Sequence, residues 1–215
     1  MKTIFDRLSD SYAKYYSLTE HLAVCEIIVF FKVGVIFKRY IQKKPKQFGI
    51  KLYQLCVSKG YTDSMTMYLG KDRKCATPSI TATHATVRGL AARIEHLGHK
   101  LYMGSFFLSP ALFNFLHTKT GYCCGTVRPN RKRMPKNVGL KMKLKRVYLK
   151  TMVKGNLTVI EWKDKRNVNI LMDMHSPPLE GNLCDKQRKA VKPAIIHNCN
   201  RLMIYVDESD HTCLY

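Results

Sequence analysis

Acidic side chains are scarce in this sequence of 215 residues: Asp and Glu number 15 against 37 Lys and Arg, a formal net charge of +22. That excess goes far beyond what solubility requires and points to polyanionic partners, nucleic acid first and an anionic membrane surface second. Long apolar runs are missing as well. None approaches the roughly 18 residues of a membrane-crossing helix, so no membrane span is expected. The N-terminal MKTIFDRLSDSYAKYY has no apolar core followed by a small-residue cleavage site, so no signal peptide is expected either. The eight Cys are accordingly expected as thiols in a reducing compartment. Paired zinc-type ligands are absent too. Cys123 and Cys124 are adjacent, a poor chelating geometry, and Cys184, His197, Cys199, His211 and Cys213 follow no zinc-module spacing. Buried or surface thiols are the preferred reading of them.

What is present is a chain able to fold. The hydrophobic content of 46% supports a core and excludes a disordered chain. The length allows one domain with a subdomain, or two small ones. The most prominent stretch is His21–Tyr40, HLAVCEIIVFFKVGVIFKRY. It is apolar on both faces, which suits a strand in the interior of a covered sheet. Gly34 between two β-rich runs predicts a hairpin, with a second strand over Val35–Ile41. Thr3–Tyr16 has helical spacing. Phe48–Cys56 alternates as a third strand, and Met65–Leu69 is a short fourth. Thr81–Leu97 switches to helical period and meets Gly98 at its end. His99–Phe107 is a short strand running into a loop. Ser109-Pro110 opens a helix through Lys119, and Tyr122–Val127 is another strand. From Arg128 to Lys154 there are eleven Lys and Arg and no acid. Leu157–Trp162 and Val168–Met172 form a hairpin across Lys163–Asn167. Ser176–Lys192 is a loop, and a further helix starts near the end of the chain. Strands followed by strand–helix units predict an α/β sheet with helices on both sides.

Four blocks then carry a family signature: VFFKVGVIFKRYIQKKPKQFGIKLYQLC, HKLYMGSFFLSPALF, CCGTVRPNRKRMPK and NRLMIYVDESD. In this order and spacing the chain resembles the transposase domain of piggyBac-type elements, closest to piggyBac-derived proteins domesticated in animal genomes. The resemblance implies a ribonuclease-H-like mixed α/β fold, with flanking helices and a β-rich insertion. It implies residues 1–127 as the first part of the core, 128–192 as the basic insertion and 193–215 as the start of the second core part. It also implies that the chain begins just before the catalytic fold and stops where the last helices and a Cys-rich tail would follow.

Active relatives use three aspartates to hold two divalent ions, Mg²⁺ among them, for phosphodiester attack. Two metals a few ångströms apart need several carboxylates to offset their charge. By the resemblance, Cys25 stands at the first position, in Val24-Cys25-Glu26, and Gly104 at the second, in Met103-Gly104-Ser105-Phe106-Phe107. Asp207 keeps the third, in Val206-Asp207-Glu208-Ser209-Asp210. A thiolate is a soft ligand that suits Mg²⁺ poorly, and Gly offers no side chain. Glu26 adjoins Cys25 and should point to the other face of the strand. Asp207 and Asp210 lie one helical turn apart on one element, a remnant that does not make a two-metal clamp. The expectation is a non-enzyme that needs no cofactor.

Arg128 and Arg131 match positions that touch target DNA in the family. With Lys132, Arg133, Lys141, Lys143, Lys145 and Arg146 they form the candidate DNA-binding set, suited to phosphate contacts and not to reading bases. The run Arg131–Lys136 also has the density of a nuclear localisation signal, so a nuclear location is expected. Trp162, although able to stack on a base, is expected in the core. Three functions stay open: a catalytically inactive, non-specific DNA binder that associates with a full-length relative; a remnant with only polycation behaviour; and an enzyme with residual metal-dependent cleavage of DNA.

Overall fold

The apolar run at His21 forms β1 (His21–Phe30), and the alternating FGIKLYQLC forms β3 (Phe48–Cys56). The two pair antiparallel over eight registered positions, from Ala23 opposite Cys56 to Phe30 opposite Gly49. The computed structural model describes residues 2–30, 34, 38–40, 48–57, 60–70, 80–138, 147–163, 166–173, 181–182 and 191–212. Contacts divide the chain into two units, one of Met1–Glu95 with Met203–Tyr215 and one of His96–Leu202.

In the first unit, β3 lies between β1 and the short β2 (Arg39–Tyr40), and β4 (Thr62–Met67) also pairs β3. The hairpin expected around Gly34 is therefore corrected: among the described residues β1 and β2 both pair β3, and not each other. Residues 35–37 and 41 of the expected second strand lie outside the described residues. Gly49 is required where the strands meet, since a Cβ there would press on the Val29 carbonyl oxygen and lie 2.9 Å from Ile28 Cγ2. Leu22, Val24, Ile27, Ile28, Leu52 and Leu55 are buried here, each side chain contributing about 1.5–3 kcal/mol by leaving water.

Helix α1 (Lys2–Tyr15) lies against β4. Ser9 fastens it, its Oγ accepting from Met65 N at 3.2 Å and donating to Met65 O at 3.3 Å. The Tyr16 ring stacks on Tyr61 at 4.3 Å. Helix α2 (Ala82–Ala91) is capped by Thr81, whose side chain accepts from His84 N. It passes into a 3-10 turn, Ala92–Ile94, so it ends sooner than the expected Leu97. Val87, Leu90 and Ala91 are its buried side.

In the second unit the strands run in the order β10-β7-β8-β9-β6-β5: β5 (Lys100–Met103), β6 (Tyr122–Thr126), β7 (Tyr148–Lys154), β8 (Leu157–Lys163), β9 (Asn167–Met172) and β10 (Gly181–Asn182). Strands β5 and β6 are parallel and the other pairs antiparallel, which makes the sheet mixed. The β8–β9 hairpin forms as expected. Helix α3 (Pro110–Thr120) has Pro at its start and Ser109 as its cap, the Oγ accepting from Leu112 N at 3.3 Å. Helix α4 runs Ala194–Thr212, and its residues up to Leu202 belong to this unit.

Alternation along β6 sends neighbouring cysteines to opposite faces. Cys123 shares a face with Asp173, which His117 of α3 reaches; Cys124 meets Cys199 of α4. The two helices thus cover opposite faces of this sheet. Trp162 is buried on β8, in the core as expected.

Candidate nucleic-acid interface

The basic segment after β6 is a chain of tight turns. Arg131 N donates to Arg128 O at 3.2 Å, Met134 N to Arg131 O at 3.2 Å, and Val138 N to Pro135 O at 3.0 Å. Arg133 is held at φ +67° within it. Arg128, Lys132, Arg133 and Lys136 are exposed. Four exposed cations thus lie on one short, internally bonded segment. Lys150 on β7 is half-buried and Lys154 exposed. Lys141, Lys143, Lys145 and Arg146 lie outside the described residues.

Arg131 differs from its neighbours. Its Nη2 donates to Ser105 O at 3.1 Å and also to Phe106 O. Burial lowers the guanidinium's proton affinity and the nearby Arg128 adds to this. The two carbonyls belong to the turn that follows β5. There Gly104 O accepts from Phe107 N at 3.1 Å and Leu108 N at 3.3 Å. The second position named by the resemblance is thus a backbone turn with no donor side chain, whose own carbonyl is already engaged.

Cys25 is half-buried on β1, directly opposite Gln54. Gln54 is itself buried, its Oε1 accepting from Thr62 Oγ1 at 3.4 Å. Glu26 is committed elsewhere. It pairs with Lys51, whose Nζ also lies 5.1 Å from the centre of the Tyr53 ring and 5.8 Å from that of Tyr68. Burial, with Glu26 and Tyr68 adding, pushes the Tyr53 phenol well up. Asp207 and Asp210 fall in α4, with side chains outside the described residues. A thiol opposite an amide and a glycine turn do not fit a hard divalent cation. Among the described residues no group of three or more His, Cys, Asp or Glu gathers to hold a metal.

One polar cluster joins residues far apart in sequence. His117 Nδ1 lies 2.8 Å from Asp173 Oδ2, Asn156 Nδ2 lies 2.7 Å from His117 Nε2, and Cys123 N donates to Asp173 Oδ1 at 2.7 Å. The Asp173 side chain is 4% exposed and that of His117 32%. Burial raises the Asp173 carboxyl, while the bonds from Cys123 and His117 oppose it. Asn156 stands in the Gly155–Asn156 turn between β7 and β8. That dipeptide, between KTMVK and LTVIEW, was a legible hairpin signal. On the other face, Cys124 and Cys199 lie together; the Cys199 thiol and burial raise the Cys124 thiol, while Cys124 lowers that of Cys199 against its burial.

No helix among the described residues is long and apolar enough to cross a membrane. The structure is similar to that of the piggyBac transposase in its synaptic complex with hairpin DNA, solved by cryo-EM, with a TM-score of 0.83 and 23% sequence identity. The match covers 98% of this chain and 44% of that one, so the chain spans less than half of the transposase it resembles. A family model described as Transposase IS4 matches residues 1–214. Over nearly its whole length, then, the chain belongs to the Transposase IS4 family, with the mixed α/β fold of the piggyBac transposase.

Proposed function

We propose that this domain binds duplex DNA through phosphate contacts, without reading sequence and without cutting it. The observation that carries the reading is the basic turn: Arg128, Lys132, Arg133 and Lys136 are all exposed on a segment closed by three backbone bonds. Lys141, Lys143, Lys145 and Arg146 extend the same charge in sequence. Loss of strand cleavage is supported by donor chemistry, because Cys25 and Gly104 offer nothing that a pair of Mg²⁺ ions would take in place of carboxylates. Asp207 and Asp210 would then be a remnant of the metal site. A DNA partner fits a nuclear location, and association with a full-length relative would bring this domain to that relative's DNA.

Binding to a random-sequence duplex at several salt concentrations tests the reading. Each phosphate contact adds about 0.9 to the slope of log affinity against log salt. Replacing Arg128, Lys132, Arg133 and Lys136 together by Gln should flatten that slope by roughly 3.6. An unchanged slope would place binding elsewhere. A polycation remnant would show no cooperative melt for DNA to raise. Cleavage of a transposon-end duplex with Mg²⁺ or Mn²⁺, abolished by Asp207→Ala, would overturn the inactive reading.

A further inference from the structure

Among the arginines of the basic turn, Arg131 has its backbone in two turns at once. Its N–H bonds Arg128 O, and its carbonyl accepts from Met134 N. Its side chain leaves that segment for another. Both hydrogens of Nη2 are used on Ser105 O and Phe106 O, and Nε is buried. The receiving turn is itself closed by the Phe107 and Leu108 amides on Gly104 O. A guanidinium forked onto two successive carbonyls is a fastener between segments 25 and 26 residues apart. Its charge is offset by carbonyl dipoles, and the fork commits two of its five N–H donors to backbone oxygens while Nε is buried away from a ligand.

We propose that Arg131 is a positioning residue and not a phosphate ligand. It locks the basic turn Arg128–Val138 to the Gly104–Leu108 turn, so that the four exposed cations are presented from a fixed base and the two turns respond together to DNA. The second half of this rests on the DNA-binding reading above. The lock itself does not.

Amide hydrogen exchange at Phe107 and Leu108 tests the lock in the free protein. Arg131→Gln should speed exchange there about tenfold, the loss expected for charge-assisted bonds. Arg128→Gln should leave it within about twofold of wild type. Equal exchange in Arg131→Gln and wild type would overturn the proposal. Duplex binding then separates positioning from contact. Arg131→Gln should keep the wild-type salt slope, while Arg128→Gln should flatten it by about 0.9. A slope flattened equally by Arg131→Gln would make it a phosphate ligand and refute the assignment. DNA should slow Phe107 and Leu108 exchange in wild type and not in Arg131→Gln; equal slowing in both would remove the coupling. Should Arg131→Gln not fold, Arg131→Lys carries the same tests. It retains a cation but not the fork, and should show faster exchange at an unchanged slope. If wild type binds no duplex, the DNA-binding reading falls and the free-protein exchange alone decides the lock.

Discussion

Asp173→Ala should be among the more damaging single substitutions in the second unit, and Asp173→Asn among the mildest at the same site. The carboxylate joins three elements. Oδ1 takes the Cys123 amide of β6, Oδ2 takes His117 of α3, and His117 in turn meets Asn156 of the β7–β8 turn. Removing it strands a backbone N–H in a residue with no solvent exposure. That costs about 1–3 kcal/mol, and the lost bond to His117 adds about 1 more. About 3 kcal/mol corresponds to a fall in Tm of roughly 6–12 °C for a chain of this size. Asparagine has nearly the same shape. Its Oδ1 can accept from Cys123 N, and its Nδ2 can donate to His117 Nδ1 once the imidazole proton moves to Nε2 and the Asn156 amide flips. It also removes a carboxylate that burial disfavours, because the Asp173 carboxyl is raised above its ordinary value of 3.8. The sign follows from that direction. A raised acid contributes stability that is full below 3.8 and is lost as pH climbs through the folded value. Wild type should therefore lose ground to Asp173→Asn as pH rises from the acid range toward neutral. Thermal melts of the three proteins at several pH values decide this. An Asp173→Ala melt within about 2 °C of wild type, or an Asn variant as unstable as the Ala variant, would refute the reasoning.

Two further outcomes test the fold. Gly49→Ala should cost about 3 kcal/mol, because its Cβ would meet the backbone of β1 at Val29; Gly89→Ala, exposed in α2 with nothing within 4 Å, should stabilise by about 0.5–1 kcal/mol. Chemical denaturation of the two variants measures both, and the same sign for both would contradict the contact geometry. Ser109→Ala should remove the cap on Leu112 N and cost about 1 kcal/mol, read as a lower denaturation midpoint at unchanged slope.

Periodicity carried much of the architecture. The run at His21 and the alternation at Phe48 are strong enough to set β1 and β3 nearly residue for residue. Ser109-Pro110 and Thr81 mark helix starts because capping is chemistry written in adjacent residues. Pairing is not written so locally. Gly34 implied that β1 and β2 would meet, whereas among the described residues both pair β3. Strand β7 was hidden by Lys150 and Lys154, which made it read as charge before it read as a strand. Helix α4 begins at Ala194, just after Pro193, whose carbonyl accepts from Ile196 N and His197 N; Pro193 is the local signal for that start. At the site, counting cations could not separate Arg131 from Arg128. Both carry one charge, and only the fold turns one inward onto carbonyls. His117 and Asp173 stand 56 residues apart, beyond any spacing rule.

Arg133 puts a long cationic side chain on a left-handed backbone that glycine would occupy without strain. For an L-residue that conformation costs about 1–2 kcal/mol, met locally by the turn bonds on either side. Robustness and charge therefore pull in opposite directions at this one position. A chain selected only for a durable fold would drift toward glycine there, and one selected for a grip on phosphate would hold the arginine and remain a little less stable for it.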